Sequence, residues 1–211
     1  MDRSAVILAG GFSDEFDQDK GLVKLGDKPL LNYVVDSVAE FVDEIVIVTN
    51  SKKRADAYKK IVSPNFRFIA SDYDSILAAA EAGLETAKGT FCALLPFDAP
   101  FISHDLLSLL FECSEGKSAV VPRTPDTEVE ALFAVYNREK ALEAAKNALA
   151  NNETDVVALV SCLRGVRYLS TLVVEQFDPD LRSFFTVKTK FDLKRAVVML
   201  KPKEHKTKSK R

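Results

Sequence analysis

The sequence is short of cysteine, of net charge and of long apolar runs, and each shortage removes a class of protein. Its three cysteines, Cys92, Cys113 and Cys162, are far apart, sit among apolar residues and show no CxxC spacing. That pattern argues against a metal knot or a disulfide framework and for buried thiols in a reducing compartment. The 29 basic residues nearly balance the 31 acidic ones, for a net charge of -2, so no global field recruits nucleic acid or an anionic membrane and any anion must be held locally. The apolar run in MDRSAVILAGG is too short for a signal peptide and far too short to span a bilayer. A cytoplasmic protein with neither nucleic acid nor membrane as partner is expected. There is no internal repeat, low-complexity segment or Pro-, Gly- or Ser-rich linker. Residues 1–200 are therefore expected to form one domain, and the basic tail KPKEHKTKSKR (201–211) a disordered, solvated end.

What is present is an alternation. With 47% hydrophobic residues in 211, the chain can bury one sizeable core. Short apolar runs rich in β-branched residues occur at 5–9, 44–49, 66–70, 91–95 and 118–122, and read as strands buried on both faces. Between them, Leu30, Leu31, Val34, Val35 and Val38 recur at helical spacing, as do Ile76, Leu77, Ala80 and Leu84, then Leu106, Leu107 and Leu110 behind a Ser103 cap. Later segments predict a strand at 131–136, helices near 138–149 and 155–164, a strand at 166–169, and a helix opened by a capping-box pair, Thr189 and Asp192. The expectation is an α/β fold with a Rossmann-like, doubly wound, mainly parallel sheet whose ligand site lies at the carboxyl ends of the strands.

Two motifs fall at such ends. In AVILAGGFSDEFDQDKGLVKL (5–25), Gly10 and Gly11 directly follow a buried strand, where the missing Cβ lets backbone N–H groups approach phosphate oxygens. Neither GxGxxG nor GxxxxGK[ST] is present, which argues against the dinucleotide fingerprint and the P-loop. Asp98 follows the strand at 91–95 within Pro-x-Asp-x-Pro. Displacement at a nucleotide α-phosphate needs a cation for the triphosphate and a positioned carboxylate for Mg²⁺. Lys20 is the candidate cation and Asp98 the candidate metal ligand, a single carboxylate being chemically sufficient for Mg²⁺ completed by phosphate and water.

The loop LAGGFSDEFDQDK resembles the LAGGxSxRMGxDK signature of the nucleotidyltransferases related to molybdenum cofactor guanylyltransferase, with Leu8, Ala9, Gly10, Gly11, Ser13, Asp19 and Lys20 matching. SDYDSILAA, LLPFDAPFIS and FFTVKTKFDL resemble further stretches of that family. The resemblance implies a sheet of the nucleotide-diphospho-sugar transferase type, with Mg²⁺ as cofactor. It also implies attack of a substrate phosphate on the α-phosphate of an NTP, with loss of pyrophosphate. By the same resemblance Leu8, Ala9, Gly10, Gly11 and Ser13 bind nucleotide, Lys20 and Asp98 are catalytic, Asn50 and Asp72 contact the nucleoside, and Asp98 holds the metal. The implied reaction moves GMP from GTP onto a phosphorylated small-molecule acceptor, molybdopterin, in a monomer or weak oligomer.

The match breaks at particular residues. Glu15 and Asp17 replace the family's Arg and Gly in the loop, Ser75 and Ile76 replace a Gly-Pro, and Thr186 and Lys188 replace two asparagines. These departures leave open a transferase of another NTP acting on a sugar or alcohol phosphate, and a non-catalytic nucleotide- or protein-binding descendant. They pose one structural question: whether Glu15 faces solvent or the site, and whether Lys188 returns the lost positive charge from the opposite side.

Overall fold

The computed structural model describes residues 2–10, 15–16, 18–63 and 65–200. Gly11, Ser13, Asp17 and the basic tail 201–211 lie outside the described residues. Strands β1 (Arg3–Leu8), β4 (Glu44–Thr49) and β6 (Phe91–Pro96) each bury every residue after the first. That is why they read as unbroken apolar runs rather than as alternating ones. With β5 (Arg67–Ala70), β7 (Ala119–Arg123), β8 (Ala134–Asn137) and β9 (Val166–Ser170) they form one seven-stranded sheet, in the order β5-β4-β1-β6-β8-β7-β9. The pairs β5–β4, β4–β1, β1–β6 and β7–β9 are parallel, whereas β8 runs antiparallel to both β6 and β7. A small hairpin, β2 (Lys24–Leu25) and β3 (Lys28–Pro29), follows the glycine loop.

Helices cover both faces, and the period-2 alternation of the strands decides which residues meet which helix. Ala5, Ile7, Ile45 and Ile47 pack with α1 (Leu30–Val38), α4 (His104–Glu112) and Tyr58 of α2 (Lys52–Tyr58). On the other face Val6, Leu8, Val46 and Val48 pack with α3 (Ile76–Thr86), α5 (Arg138–Ala150) and α6 (Val156–Cys162). The expected capping box is present: Asp192 Oδ2 accepts from Thr189 N at 3.0 Å and Thr189 Oγ1 accepts from Asp192 N at 3.1 Å, ahead of α7 (Lys190–Leu200).

Two departures from the sequence reading bear on the site. The strand expected at 131–136 begins only at Ala134. Residues 131–133 turn instead, with Phe133 N donating to Glu130 O at 3.0 Å and the buried Tyr136 hydroxyl donating to Ala131 O at 2.7 Å. Leu132 and Phe133 are apolar because they line a cavity, not because they pair in a sheet. Helix α2 was not expected, since its sequence KKRADAY shows no apolar periodicity; Ser51 caps it by accepting from Arg54 N at 3.3 Å.

Register sets where the site lies. Leu8 pairs with Val48 on one side and with Pro96 on the other, so the carboxyl ends of β4, β1 and β6 finish level. Because the chain winds from β1 outward through β4 to β5 and then returns to β6 on the other side of β1, the switch in winding falls between β1 and β6. A crevice opens at such a switch point.

Candidate active site

A cavity of about 690 Å³ occupies that crevice, a size typical of small-molecule sites, which run from about 300 to 1,000 Å³. One wall, over β4 and β1, is made by Leu8, Gly10, Asn50, Tyr73, Ser75 and Ile76; the opposite wall, past β6, includes Glu130, Leu132, Phe133, Phe184, Thr186 and Lys188. Lys20 and Asp98 also line it, and the loop after β6 that carries Asp98 lies between the two walls in sheet order.

At this junction Lys20 Nζ lies 2.6 Å from Asp98 Oδ2, with side chains only 10% and 11% exposed. Lys20 begins a 3-10 turn, Lys20–Leu22, and its ammonium also stands 5.2 Å from the Phe97 ring centroid. The fold thus brings together the two residues that the motifs assigned to catalysis, 78 positions apart in the chain. The main chain of Asp98 is anchored as well: its carbonyl accepts from Val187 N at 2.9 Å, which fixes the 186–188 segment beside it.

The glycine loop is held by a residue that the sequence reading passed over. Arg54 of α2 donates through Nη1 to Gly10 O at 2.9 Å and to Asn50 Oδ1 at 2.8 Å, and through Nε to the Asp19 carboxylate. Asp19 in turn accepts from Gly21 N at 2.9 Å and from the Tyr58 hydroxyl at 2.5 Å. Burial, with the adjacent Asp19 carboxylate, raises the Tyr58 pKa far above its usual range, so Tyr58 is a fixed donor at any working pH. Gly21 is required here because a Cβ would fall 2.6 Å from Tyr58 Cζ. One signal did exist in the sequence: Arg54 and Tyr58 are four residues apart behind a Ser51 cap and so share a helix face.

The other assigned residues separate. Leu8, Gly10 and Asn50 are on the cavity wall. Ala9 is fully buried and its N–H is committed to Val48 O at 2.7 Å, so it belongs to the sheet. Asp72 is exposed on the loop after β5 and does not line the cavity, although its neighbour Tyr73 does. Glu15 is exposed and is absent from the cavity wall, so its reversed charge faces solvent. Lys188, in contrast, lines the cavity on the side of Glu130, opposite the glycine loop.

An open α/β crevice with a buried lysine–carboxylate pair at its switch point has the form of the ligand site of a doubly wound α/β enzyme. The comparisons with known proteins sharpen this. The model of the MobA-like NTP transferase domain matches residues 5–162. A probable molybdenum cofactor guanylyltransferase of Natronomonas pharaonis is 32% identical over 198 residues, covering 92% of this chain and 96% of that one. The crystal structure of molybdopterin-guanine dinucleotide biosynthesis protein A from Archaeoglobus fulgidus superposes with a TM-score of 0.78 at 25% identity, covering 93% and 97% of the two chains. A 4-diphosphocytidyl-2C-methyl-D-erythritol synthase from Anaerococcus prevotii, 18% identical with a TM-score of 0.73 and coverage of 94% and 96%, shares the fold. The chain belongs to the MobA-like NTP transferase family of nucleotidyltransferases.

Proposed function

We propose that the protein transfers GMP from GTP to the terminal phosphate of molybdopterin, a molybdenum cofactor guanylyltransferase reaction. An oxygen of the acceptor phosphate bonds to the α-phosphorus of GTP as the bond to the β-phosphate oxygen breaks, and pyrophosphate leaves. The observation that carries the reading is the Lys20–Asp98 pair between two walls of one cavity. Nucleotide on the Gly10–Asn50 wall and acceptor on the Glu130–Lys188 wall would meet over it. Lys20 neutralises triphosphate charge, and Gly10, braced by Arg54, stands without a Cβ on the wall where the nucleotide would lie. Lys188 contributes positive charge toward the acceptor phosphate.

The donor set suits Mg²⁺. Asp98, at the carboxyl end of β6 on the cavity, would be the protein ligand, to be completed by phosphate oxygens and water. Bound there, Mg²⁺ would offset the charge that builds up on the reacting phosphates. The reading is of a cytoplasmic enzyme, supported by three free cysteines; no helix among the described residues is long and apolar enough to cross a membrane.

The test is pyrophosphate release from GTP, CTP, ATP and UTP with and without molybdopterin and Mg²⁺. Release confined to GTP, molybdopterin and Mg²⁺ together supports the reading. Release with CTP and a sugar or alcohol phosphate replaces the substrates but keeps the chemistry. Failure of every NTP to bind at millimolar concentration overturns the enzyme reading in favour of a non-catalytic descendant.

A further inference from the structure

Of the two opposite charges on the cavity wall past β6, Lys188 faces the acceptor phosphate in the reading above, whereas Glu130 has no role in the phosphate chemistry. Glu130 is half-buried, and among the described residues its carboxylate makes no hydrogen bond or ion pair. Its backbone is nonetheless fixed: Glu130 N donates to Pro122 O at 2.9 Å, and Glu130 O accepts from Phe133 N at 3.0 Å. The wall around it is also rigid, since Phe133 meets Phe184 edge to face with ring centroids 5.2 Å apart. That contact joins the turn carrying Glu130 to the segment carrying Lys188. Among the described residues, Glu128 repels the charge of Glu130 and Lys188 favours it.

A partly buried carboxylate left without donors is costly, and sites of this kind are completed by a ligand that supplies them. Burial, reinforced by Glu128, holds the Glu130 pKa above the usual carboxylate range, as expected of a group still lacking its hydrogen-bond donors. Two carboxylate oxygens accept most strongly from two parallel N–H donors. Among the substrates of the proposed reaction, few groups present such a pair. One is the 2-amino-4-oxopyrimidine edge, with a ring N–H beside an exocyclic NH₂, and it occurs in both pterins and guanine. The position of Glu130 decides between them. It lies on the wall past β6 with Lys188, across Asp98 from Gly10 and Asn50.

We infer that Glu130 is the specificity-determining residue for the acceptor, its carboxylate pairing with the 2-amino-4-oxo edge of a pterin whose phosphate is drawn toward Lys188. This rests on the transferase reading above for the direction in which the acceptor lies. The selection works by exclusion as much as by attraction: an acceptor without the edge leaves a desolvated carboxylate unpaired.

The probes are a pterin carrying a 6-phosphomethyl group and its lumazine counterpart, in which a carbonyl replaces the 2-amino group, titrated by pteridine fluorescence. Wild type should bind the pterin about tenfold or more tightly than the lumazine. Glu130→Gln, whose amide turns one acceptor into a donor, should bring the two within about threefold. Glu130→Asp, which keeps the carboxylate, should retain part of the preference, and that separates charge from side-chain volume. Equal binding of the probes by wild type, or a preference untouched by Glu130→Gln, overturns the assignment. So does loss of the preference for GTP over ITP in Glu130→Gln with the pterin preference intact, since the carboxylate would then read guanine. GTP binding by wild type is followed separately by thermal shift. Its absence would sink the transferase reading while the pterin-to-lumazine ratio still decides the role of Glu130.

Discussion

The ammonium of Lys20 and the carboxylate of Asp98 neutralise one another at 2.6 Å in a place where each is nearly out of water. Removing one partner leaves the other buried and uncompensated. Lys20→Met or Asp98→Asn should each cost about 3 kcal/mol of folding stability. The double variant should recover part of that loss, because no lone charge remains. Urea denaturation of the four proteins closes the cycle, and strict additivity would show that the pair is not coupled. Pyrophosphate release should fall by about 10²-fold or more in either single variant.

Arg54 should act on binding through the loop it braces. Arg54→Ala removes the donors to Gly10 O, Asn50 Oδ1 and Asp19 together, and should raise the KM for NTP by about tenfold while lowering kcat less. Arg54→Lys should rescue little, since an ammonium cannot reproduce the planar fork. Gly21→Ala, by displacing Tyr58 from Asp19, should produce a weaker form of the same KM effect. Steady-state kinetics of the three variants checks this; an unchanged KM in Arg54→Ala removes the bracing role.

Glu15 should matter little. The sequence alone set an anion where the family signature carries an arginine, but the side chain is exposed and away from the cavity. Glu15→Arg should therefore improve NTP affinity by only about threefold, in the range of a screened surface charge. The gain should vanish in high salt. A gain of two orders of magnitude by calorimetry would mean that the loop reorganises around the triphosphate.

At the opposite end of the sheet, Glu44 accepts from Arg67 Nη1 at 2.8 Å, Lys88 N at 2.8 Å and Ser4 Oγ at 2.9 Å. Burial raises its pKa, but these donors outweigh burial and leave it below the ordinary 4.5. A lowered folded-state pKa means stability that is present above about pH 4.5 and lost as pH falls through the folded value. Glu44→Gln should cost roughly 1–3 kcal/mol at pH 7, and the gap from wild type should narrow steadily in acid. Chemical denaturation at pH 7, 5 and 3.5 measures it; a gap independent of pH would rule out the ionised form as the source of the effect.

The sheet was legible because strands buried on both faces must be written in apolar residues, and the place of Asp98 at the crevice because it directly follows such a strand. Arg54 was not, because its value depends on Gly10, Asn50 and Asp19, which no local period connects to it. Glu130 was hidden for a related reason. It sits in a turn that its apolar neighbours disguised as a strand, and the rest of its wall comes from residues more than fifty positions later. Asp72, a position taken from the family resemblance, is exposed and off the cavity wall, where its neighbour Tyr73 stands.

The antiparallel entry of β8 between β6 and β7 has an evolutionary consequence. Everything on the Gly10–Asn50 side, through Asp98, is folded from the first hundred residues, in parallel pairings that β8 never touches except along β6. The β6–β8 boundary is thus a seam at which ancestry can divide. Substitutions or insertions between β7 and β8 remodel the facing wall without disturbing the strand registers that hold Lys20 against Asp98. A chimera that takes residues 118–137 from a relative should inherit that relative's taste in acceptors and keep its own nucleotide.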